Sequence, residues 1–284
     1  MDNKKRNKLI LNVLPVFLGV LFAFFMIPVE DQARETDRDL SVTFVDVGHG
    51  DAILVSNRGE HLLIDAGEAP GTDRLIEVLE ERGISRLDWL MITHEHSDHI
   101  GGVMQVMNKL DVDYILHSIE DPQNDMKRIG RRAIQNGTEI MQVHPGDAFP
   151  VGNALATVVG PYTHEGDENN SSVLLRVAYG DTSFLFMGDA EEDEERELLD
   201  AGYDISADVL KVGHHGGETS TTPELLEAVE PEYAVISCAE DESEYPAQSV
   251  LDRLADYVEE VFITGRDGDI TFLSDGEEVG VVVN

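Results

Sequence analysis

Cysteine is almost absent from the sequence: Cys238 stands alone, in the apolar run from Tyr233 to Ala239. A single thiol cannot form a disulfide within one chain, and it cannot build a metal site from thiolates. We therefore expect Cys238 to be a buried core residue, and any bound metal to be held by nitrogen and oxygen ligands.

Lysine is also scarce, since only Lys109, Lys127 and Lys211 follow Glu30. The whole chain has 20 Lys and Arg against 57 Asp and Glu, a formal net charge of -37. This imbalance is typical of proteins adapted to molar salt, where the Debye length is about 3 Å and self-repulsion is screened. We therefore predict a high-salt organism, and we interpret the run Glu191–Glu195 as solvated acidic surface.

A basic stripe with interleaved aromatic side chains, the usual mark of a nucleic-acid surface, is missing as well. The one basic cluster combines Lys127-Arg128 with Arg131-Arg132, and we interpret it as salt-bridged surface. Composition thus gives no direct sign of nucleic-acid binding. An acidic surface would repel a polyanion at low salt, but molar salt removes most of that repulsion.

One long apolar run stands near the N-terminus, from Leu9 to Ile27, after the basic residues Lys4, Lys5, Arg6 and Lys8. Its length and basic flank predict a signal anchor, with a membrane contact through residues 9–27. A cleaved signal peptide is the alternative, although no small-residue cleavage site follows. Either form places the rest of the chain outside the cytoplasm, anchored or secreted. We divide the chain into this segment (1–30), an acidic linker (31–40) and one domain (41–284).

Strand-like and helix-like segments alternate through residues 41–284. Short apolar strands end at Asp65, Thr93, Met187 and Val212, and polar residues follow most of them directly. Two hairpins are predicted, one turning at Gly180-Asp181 and one closing the chain. Two halves of mixed strands and helices suit an α/β fold of four layers, an αββα sandwich.

The densest group of chemical side chains follows the strand that ends at Thr93: His94, His96, Asp98 and His99. Alternate residues of an extended chain point the same way, so His94 and His96 can converge on one ion. Asp98 and His99 lie where the chain turns into a helix, and they can face a second ion. Four such residues in six positions predict a metal site.

Two later strand ends supply the residues that such a site still needs. Asp189 follows the strand "SFLFMG", and a carboxylate there can bridge two ions. His214 and His215 follow the strand before Gly216-Gly217. Adjacent side chains diverge, so one of the two is expected to bind metal, while the other contacts a substrate oxygen or protonates a leaving group. Which histidine does which stays open.

These segments together resemble the metallo-β-lactamase superfamily, and more closely the C-terminal hydrolase domain of ComEC-type competence proteins, which act in uptake of transforming DNA. The matching segments are FVDVGHGDAILV (44–55), LLIDAG (62–67), THEHSDHIGG (93–102), ENNSSVLLRVAYG (168–180), FLFMGD (184–189) and LKVGHHGG (210–217). The histidine motif is typical of the superfamily, and VDVGHGD with KVGHHGG indicates the ComEC branch. The resemblance implies an αββα sandwich.

The resemblance also implies roles for individual residues. His94 and His96 would bind the first metal, Asp98 and His99 the second, and Asp189 would bridge them, with His214 or His215 completing the second site. Asp65, Asn169 and Asn170 would support these ligands from behind. Asp46, with His49 and Asp51, would either shape the first loop or support the ligands in the same way. The two divalent ions are expected to be zinc, with manganese or iron as alternatives. Fewer ligands serve the first metal, so we expect it to bind more weakly.

Two departures from the resembled proteins affect the prediction. The loop Gly166–Ser172 lacks the histidine that many superfamily members place there, and His164 nearby is interpreted as an exposed loop residue. ComEC-type domains usually have Gly-His-Pro where this chain has Glu244-Tyr245-Pro246. If that histidine contacts substrate, Tyr245 must take its place.

The chemistry that such a site supports is hydrolysis, because two divalent ions lower the pKa of a bound water and supply hydroxide near neutral pH. Asp98 would orient that hydroxide. The leading hypothesis is a phosphodiesterase or nuclease outside the cytoplasm, linked to DNA uptake or processing. The alternatives are another hydrolase of the same fold, acting on an ester, thioester, lactone or lactam, and a non-catalytic binding module of a DNA-uptake or envelope complex. Protein partners are not predicted.

Overall fold

The computed structural model describes residues 40–162 and 168–283. The predicted anchor or signal segment (1–30), nearly all of the predicted linker (31–40) and His164 lie outside the described residues. Within the described ranges, no helix combines the length and the apolar content needed to cross a membrane.

Two mixed β-sheets form the centre of the described structure. Numbered along the chain, the strands are β1 (Leu40–Phe44), β2 (Ile53–Asn57), β3 (Glu60–Ile64), β4 (Arg86–Ile92), β5 (Asp111–His117), β6 (Glu139–Gln142), β7 (Ala148–Val151), β8 (Ala154–Gly160), β9 (Leu174–Tyr179), β10 (Thr182–Phe186), β11 (Val209–Lys211), β12 (Tyr233–Ile236), β13 (Glu260–Ile263), β14 (Ile270–Ser274) and β15 (Val279–Val283). An eight-stranded sheet has the order β15-β14-β1-β2-β3-β4-β5-β6, and a seven-stranded sheet has the order β13-β12-β11-β10-β9-β8-β7. We call them sheet A and sheet B.

Helices cover the outer face of each sheet. They are α1 (Thr72–Glu81), α2 (Ser97–Ile100), α3 (Val103–Lys109), α4 (Asn124–Asn136), α5 (Glu192–Ala201), α6 (Pro223–Val229), α7 (Gln248–Tyr257) and α8 (Thr264–Asp267). Helices α1, α3 and α4 pack on sheet A through one apolar cluster, and α5, α6 and α7 pack on sheet B through another. A third cluster, which includes Phe44, Phe186 and Phe272, fills the space between the sheets. The predicted αββα sandwich is therefore confirmed.

Both predicted hairpins are present, because β9 pairs with β10 and β14 pairs with β15 in antiparallel register. Cys238 is buried, as predicted, at 1% exposure. Strand β7 was not predicted. It lies at the edge of sheet B and contains Pro150, and proline disfavours a strand assignment except at such an edge.

The interpretation of Glu191–Glu195 as solvated surface is wrong for the last two residues. Glu194 and Glu195 are both 0% exposed, because helix α5 turns them inward beside Leu198. The carboxylate of Glu195 accepts hydrogen bonds from the backbone N–H groups of Thr221 and Thr222, at the start of α6. Only Glu192 and Asp193 of this run are exposed.

Candidate metal centre

The residues predicted to bind metal lie together at the carboxyl ends of parallel strands, at the same end of both sheets. In sheet A, β3 and β4 run parallel and deliver Asp65 and the histidine cluster. In sheet B, β10 and β11 run parallel and deliver Asp189 and the turn Gly213–Gly216. Residues that follow the carboxyl ends of parallel strands are free of the sheet and converge on one crevice, which is the common position of sites in α/β folds.

Four of these residues form what we call the second ligand group: Asp98, His99, Asp189 and His215. One ligand atom from each lies within 4.8 Å of all the others. Oδ2 of Asp98 lies 3.1 Å from Nε2 of His215, and Oδ2 of Asp189 lies 3.2 Å from Nε2 of His99. Two of the four come from sheet A and two from sheet B, so the group spans the sandwich.

Asp189 also belongs to the first ligand group, formed by His94, His96 and Asp189. Nε2 of His94 lies 3.6 Å from Oδ2 of Asp189. A carboxylate shared by two adjacent groups is the arrangement that bridges two ions. The described residues thus form a candidate dimetal site whose first group has fewer ligands.

Buried atoms without hydrogen bonds provide the test of whether this site fits a metal. Nε2 of His94, Nε2 of His99 and Oδ1 of Asp189 are buried and lack a hydrogen-bond partner in the described part of the chain. Buried polar atoms are rarely left unsatisfied, because each costs about 1–3 kcal/mol. Imidazole nitrogens and carboxylate oxygens are ligands for divalent ions, so these residues fit bound divalent metal ions.

Each buried histidine is held through Nδ1, which turns Nε2 toward the shared carboxylate. Nδ1 of His99 donates to Oδ2 of Asp65 at 2.8 Å, and Nδ1 of His215 donates to the Ser237 carbonyl at 2.8 Å. Asp65 is itself fixed by the backbone N–H and the hydroxyl of Thr93, at 2.9 and 2.6 Å. Such partners fix the orientation of metal-binding histidines. Asp65 therefore lies where the sequence predicts it, behind His99.

The adjacent His214 and His215 diverge because both have left-handed backbone angles, with φ of 45° and 52°. His215 points into the second ligand group and is 1% exposed. His214 lies outside the three potential metal-binding groups found among the described residues. The geometry therefore places His215, and not His214, among the potential metal ligands of the described residues.

His214 faces the outside of the site within a cluster of polar side chains. Its Nδ1 lies 2.8 Å from Oε1 of Glu191, and its Nε2 lies 3.2 Å from the Tyr245 hydroxyl. Nδ2 of Asn169 lies 3.4 Å from the same Nε2. Tyr245 and Asn169 thus lie beside His214 rather than behind a ligand.

The two other predicted supporting residues lie further from the ligands. Oδ1 of Asp46 accepts from the N–H of Gly48, and the N–H of Asp46 donates to Asp269, so Asp46 shapes its own loop. Oδ1 of Asn170 accepts from the N–H of Glu191 at 3.0 Å, where α5 begins. Asn170 therefore supports Glu191 rather than a metal ligand.

Four residues with clear positions near the site were missed from the sequence. Glu191 was hidden in an acidic run, and Lys211 in a strand. Glu168 lies 3.3 Å from Nε2 of His96, in the loop that lacks the expected histidine. Ser172 belongs to no recognisable motif, but its hydroxyl accepts a hydrogen bond from the N–H of Asp189 at 3.1 Å. For Lys211, the sequence did offer one signal of a position near the site, because lysine is rare in this chain.

The carboxylates and imidazoles perturb one another strongly. Burial alone would raise the pKa of Asp189, but His99 and His215 hold it well below its usual range. Burial would lower the pKa of His215, but Asp189 and Asp98 raise it to about 9. Burial, with the neighbouring His99, lowers the pKa of His94 well below its usual value. Opposite shifts within one cluster are typical of functional sites.

Comparison with known proteins gives one family and several relatives. Residues 45–240 match the family model described as the Metallo-beta-lactamase superfamily. The chain is 30% identical over 277 residues to ComE operon protein 3 of Bacillus subtilis. This alignment covers 89% of this chain and 34% of that protein. It is 28% identical to Competence protein ComA of Neisseria gonorrhoeae (83% of this chain, 32% of that protein) and 29% identical to Recombination protein 2 of Haemophilus influenzae (95% and 33%). The chain thus spans about a third of the length of these relatives.

Solved structures share the fold at low sequence identity. The metallo-beta-lactamase fold protein YhfI from Bacillus subtilis superposes with a TM-score of 0.57 at 13% identity, over 86% of this chain and 100% of that one. A mutant of the CmlA beta-hydroxylase gives a TM-score of 0.56 at 15% identity, over 92% of this chain and 60% of that one.

Proposed function

The chain belongs to the metallo-beta-lactamase superfamily, whose fold is that of hydrolases. We propose that this hydrolase cleaves phosphodiesters, as a nuclease or phosphodiesterase. The observation that carries the proposal is the position of His214, beside the candidate dimetal site and outside both ligand groups. Relatives named for competence and recombination support a nucleic-acid substrate.

We propose that His94, His96 and Asp189 hold one divalent ion and that Asp98, His99, Asp189 and His215 hold another, zinc in both positions. When bound, two such ions supply a water of lowered pKa and stabilise the negative charge that develops on the substrate oxygens. Every other role in the reaction belongs to side chains of this chain.

Asp98 is suited to orient the attacking water. It is the one member of the second ligand group whose side chain is partly exposed, at 16%, while His99 and His215 are at most 1% exposed. Its carboxylate therefore lies on the side from which water and substrate enter, and it can accept a hydrogen bond from the water and fix its direction of attack.

His214 is suited to protonate the leaving group. As the bond between phosphorus and the leaving oxygen breaks, its electron pair stays on that oxygen, which takes the proton from Nε2 of His214. Glu191, on the opposite ring nitrogen, holds the imidazole in place. The Tyr245 hydroxyl, 3.2 Å from Nε2, lies where it can donate to a substrate oxygen.

The test uses the full chain, purified in detergent and molar potassium chloride, with its metal content measured. Substrates are single- and double-stranded DNA, bis(4-nitrophenyl) phosphate, a β-lactam and a thioester. We expect phosphodiester cleavage that His96→Ala lowers at least about a hundredfold, since even groups behind the ligands cost 10–100-fold. His144→Ala is the matched control, because His144 is an exposed histidine that pairs with Asp147.

The other outcomes identify the alternatives. Turnover of the lactam or thioester without phosphodiester cleavage would make the protein another hydrolase of the same fold. DNA binding without turnover, with both metals bound, would make it a binding module. DNA cleavage that His96→Ala leaves unchanged would contradict the proposed site.

We also propose that the catalytic domain acts outside the cytoplasm, anchored through residues 9–27 or secreted. The basic residues before Leu9 support this orientation. If the domain is anchored, protease added to intact cells should degrade it. If it is secreted, the domain should be recovered from the medium. Protection of the domain until the cells are lysed would contradict the proposed location.

A further inference from the structure

Lys211 is a fully buried cation at the end of strand β11, at 0% exposure. Alternate residues of a strand point to the same face of a sheet. Val209 packs into the core between the sheets, and Leu210 packs under the outer helices. The side chain of Lys211 therefore extends from sheet B toward sheet A. Burial of a lysine is costly unless the charge is paired.

The partner of Lys211 comes from the other half of the sandwich. Nζ lies 2.9 Å from Oδ2 of Asp51, in the loop between β1 and β2 of sheet A, and it donates to the Val212 carbonyl at 2.8 Å. Asp51 is 1% exposed. The pair is therefore a buried ionic contact between the two halves.

Asp51 is tied by its backbone to the segments that carry ligands in sheet A. Its N–H donates to the carbonyl oxygen of Asp98 at 3.2 Å, and its own carbonyl accepts from the N–H of Gly67 at 2.8 Å. Its free oxygen, Oδ1, lies 3.9 Å from Nδ1 of His215. Lys211 in turn precedes the turn that carries His215. The ion pair thus joins the chain segment of Asp98 to the chain segment of His215.

We infer that Lys211 is a positioning residue for the second ion, a role that rests on the dimetal site of the proposed function. The second ligand group needs Asp98 and His99 from sheet A to meet Asp189 and His215 from sheet B within 4.8 Å. The Lys211–Asp51 pair sets that separation directly behind the group. The first ligand group depends on it less, because two of its three ligands, His94 and His96, belong to one short segment and Asp189 alone comes from sheet B.

A role in positioning explains the pair better than a role in stability. Replacing a buried ion pair by neutral residues of similar volume is often neutral or stabilising, so stability alone is a weak reason to keep one. Lysine is rare in this chain, and Lys211 is buried, where it adds nothing to the solubility of the surface.

The test is the double variant Lys211→Met with Asp51→Asn, which removes both charges and leaves neither one unpaired. Lys211→Met alone would leave a buried carboxylate without its cation and is expected to fold poorly. Zinc affinity is measured by competition with a chromogenic chelator. The second ligand group is measured alone in a His96→Ala background. The first is measured alone in a background that combines Asp98→Ala with His215→Ala, which leaves the second group two of its four ligands. Lys109→Met, at an exposed lysine of α3, is the matched control.

We expect the double variant to be folded by circular dichroism and to bind zinc at the second group about 10- to 100-fold more weakly, as for other partners behind metal ligands. Affinity at the first group and in Lys109→Met should stay at the parent value. With cobalt in place of zinc, the absorption bands of the second site should change.

A folded double variant with parent affinity at the second group would overturn the inference, since the pair would then be structural only. Equal weakening at both groups would overturn it as well. A parent chain that binds fewer than two ions would instead contradict the dimetal site itself. Two bound ions without phosphodiester cleavage would contradict only the proposed substrate.

Discussion

Under the proposed function, Glu191 would hold His214 through the ring nitrogen opposite the one that faces the substrate. Its Oε1 lies 2.8 Å from Nδ1 of His214 and also accepts from the Thr219 hydroxyl at 2.9 Å. A glutamine has nearly the same shape but no charge to hold the imidazole. We expect Glu191→Gln to lower turnover about tenfold or more on phosphodiesters with alkoxide leaving groups, as part of the 10²–10⁴-fold that a general acid supplies.

The leaving group makes this prediction specific. A 4-nitrophenolate leaves without a proton, so Glu191→Gln should hydrolyse bis(4-nitrophenyl) phosphate at nearly the parent rate. Glu192→Gln, at the exposed neighbour, should leave both rates unchanged. An equal loss on both substrates would show that Glu191 acts on the nearby Asp189 rather than through His214.

Glu194 should make the stability of the protein fall as pH rises. Burial, with a contribution from Glu197, raises the pKa of this carboxyl from 4.5 to about 8. The native chain thus keeps the proton between pH 4.5 and 8, while the unfolded chain loses it. Its stabilising contribution is complete below pH 4.5 and is lost as pH rises toward 8. Across this window, the free energy of unfolding should fall by up to about 1.4 kcal/mol per pH unit from this group.

Chemical denaturation at pH 5, 6, 7 and 8 in constant molar salt measures this slope. Glu194→Gln keeps the oxygen that accepts from the N–H of Tyr162 but cannot ionise, so it should become more stable than the parent as pH rises. Glu192→Gln should retain the parent slope. Parallel curves for the parent and Glu194→Gln would disprove the prediction.

Strand ends were the part of the molecule that the sequence predicted best, and the candidate site is built from them. The strand predicted to end at Thr93 is β4 (Arg86–Ile92), and the one predicted to end at Val212 is β11 (Val209–Lys211). Apolar strands bounded by glycine and polar residues have a clear period and clear ends. The positions of the histidine cluster, Asp189 and the His214-His215 pair followed from those ends.

Features that depend on tertiary contacts could not be predicted in the same way. The burial of Glu194 and Glu195 arises because α5 turns them toward sheet B, and an acidic run has no apolar period that would predict it. The choice between His214 and His215 depends on two left-handed backbone angles. The pair of Lys211 with Asp51 joins residues from different sheets, and no local pattern indicates such a contact.

The loop between β1 and β2 offers a test of how a connecting element positions Asp98. Gly48 and Gly50 both have positive φ, of 81° and 119°, so alanine strains the backbone at either position. A β-carbon at Gly50 would overlap the carbonyl oxygen of Asp98, whereas one at Gly48 would meet no atom within 4 Å. Gly48→Ala should cost about 1–2 kcal/mol of stability. Gly50→Ala should cost about 1–3 kcal/mol more and should weaken zinc at the second ligand group.

Gly48→Ala is the control, because it also places an alanine at a positive φ but without the overlap. Thermal unfolding measures the two stabilities, and chelator competition in a His96→Ala background measures the second ligand group alone. Equal zinc affinity in the two variants would mean that the loop does not set the position of Asp98.

The charge of the whole chain runs opposite to that of most nucleic-acid enzymes. With a net charge of -37, the protein repels a polyanion at low salt. Lys211, the one lysine at the site among the described residues, is buried and paired. Salt normally weakens binding to nucleic acid by competing with basic side chains for phosphates. Under the proposed function, the ions held by the site would be the cations that meet a phosphate, and added salt would screen the surrounding repulsion.

Stability should therefore rise with potassium chloride, because 57 acidic side chains repel one another in the folded chain. Between about 0.1 M and 1 M salt the Debye length falls from about 10 Å to about 3 Å, so most of this repulsion is screened. We expect stabilisation of at least a few kcal/mol, which raises Tm by about 2–4 °C for each kcal/mol in a chain of this size. Thermal unfolding at fixed pH and saturating zinc measures it. Sucrose at equal osmolality is the control, since it stabilises by exclusion without screening charge. If sucrose raised Tm as much as potassium chloride, or if Tm stayed constant with salt, charge repulsion would not limit the stability of this protein.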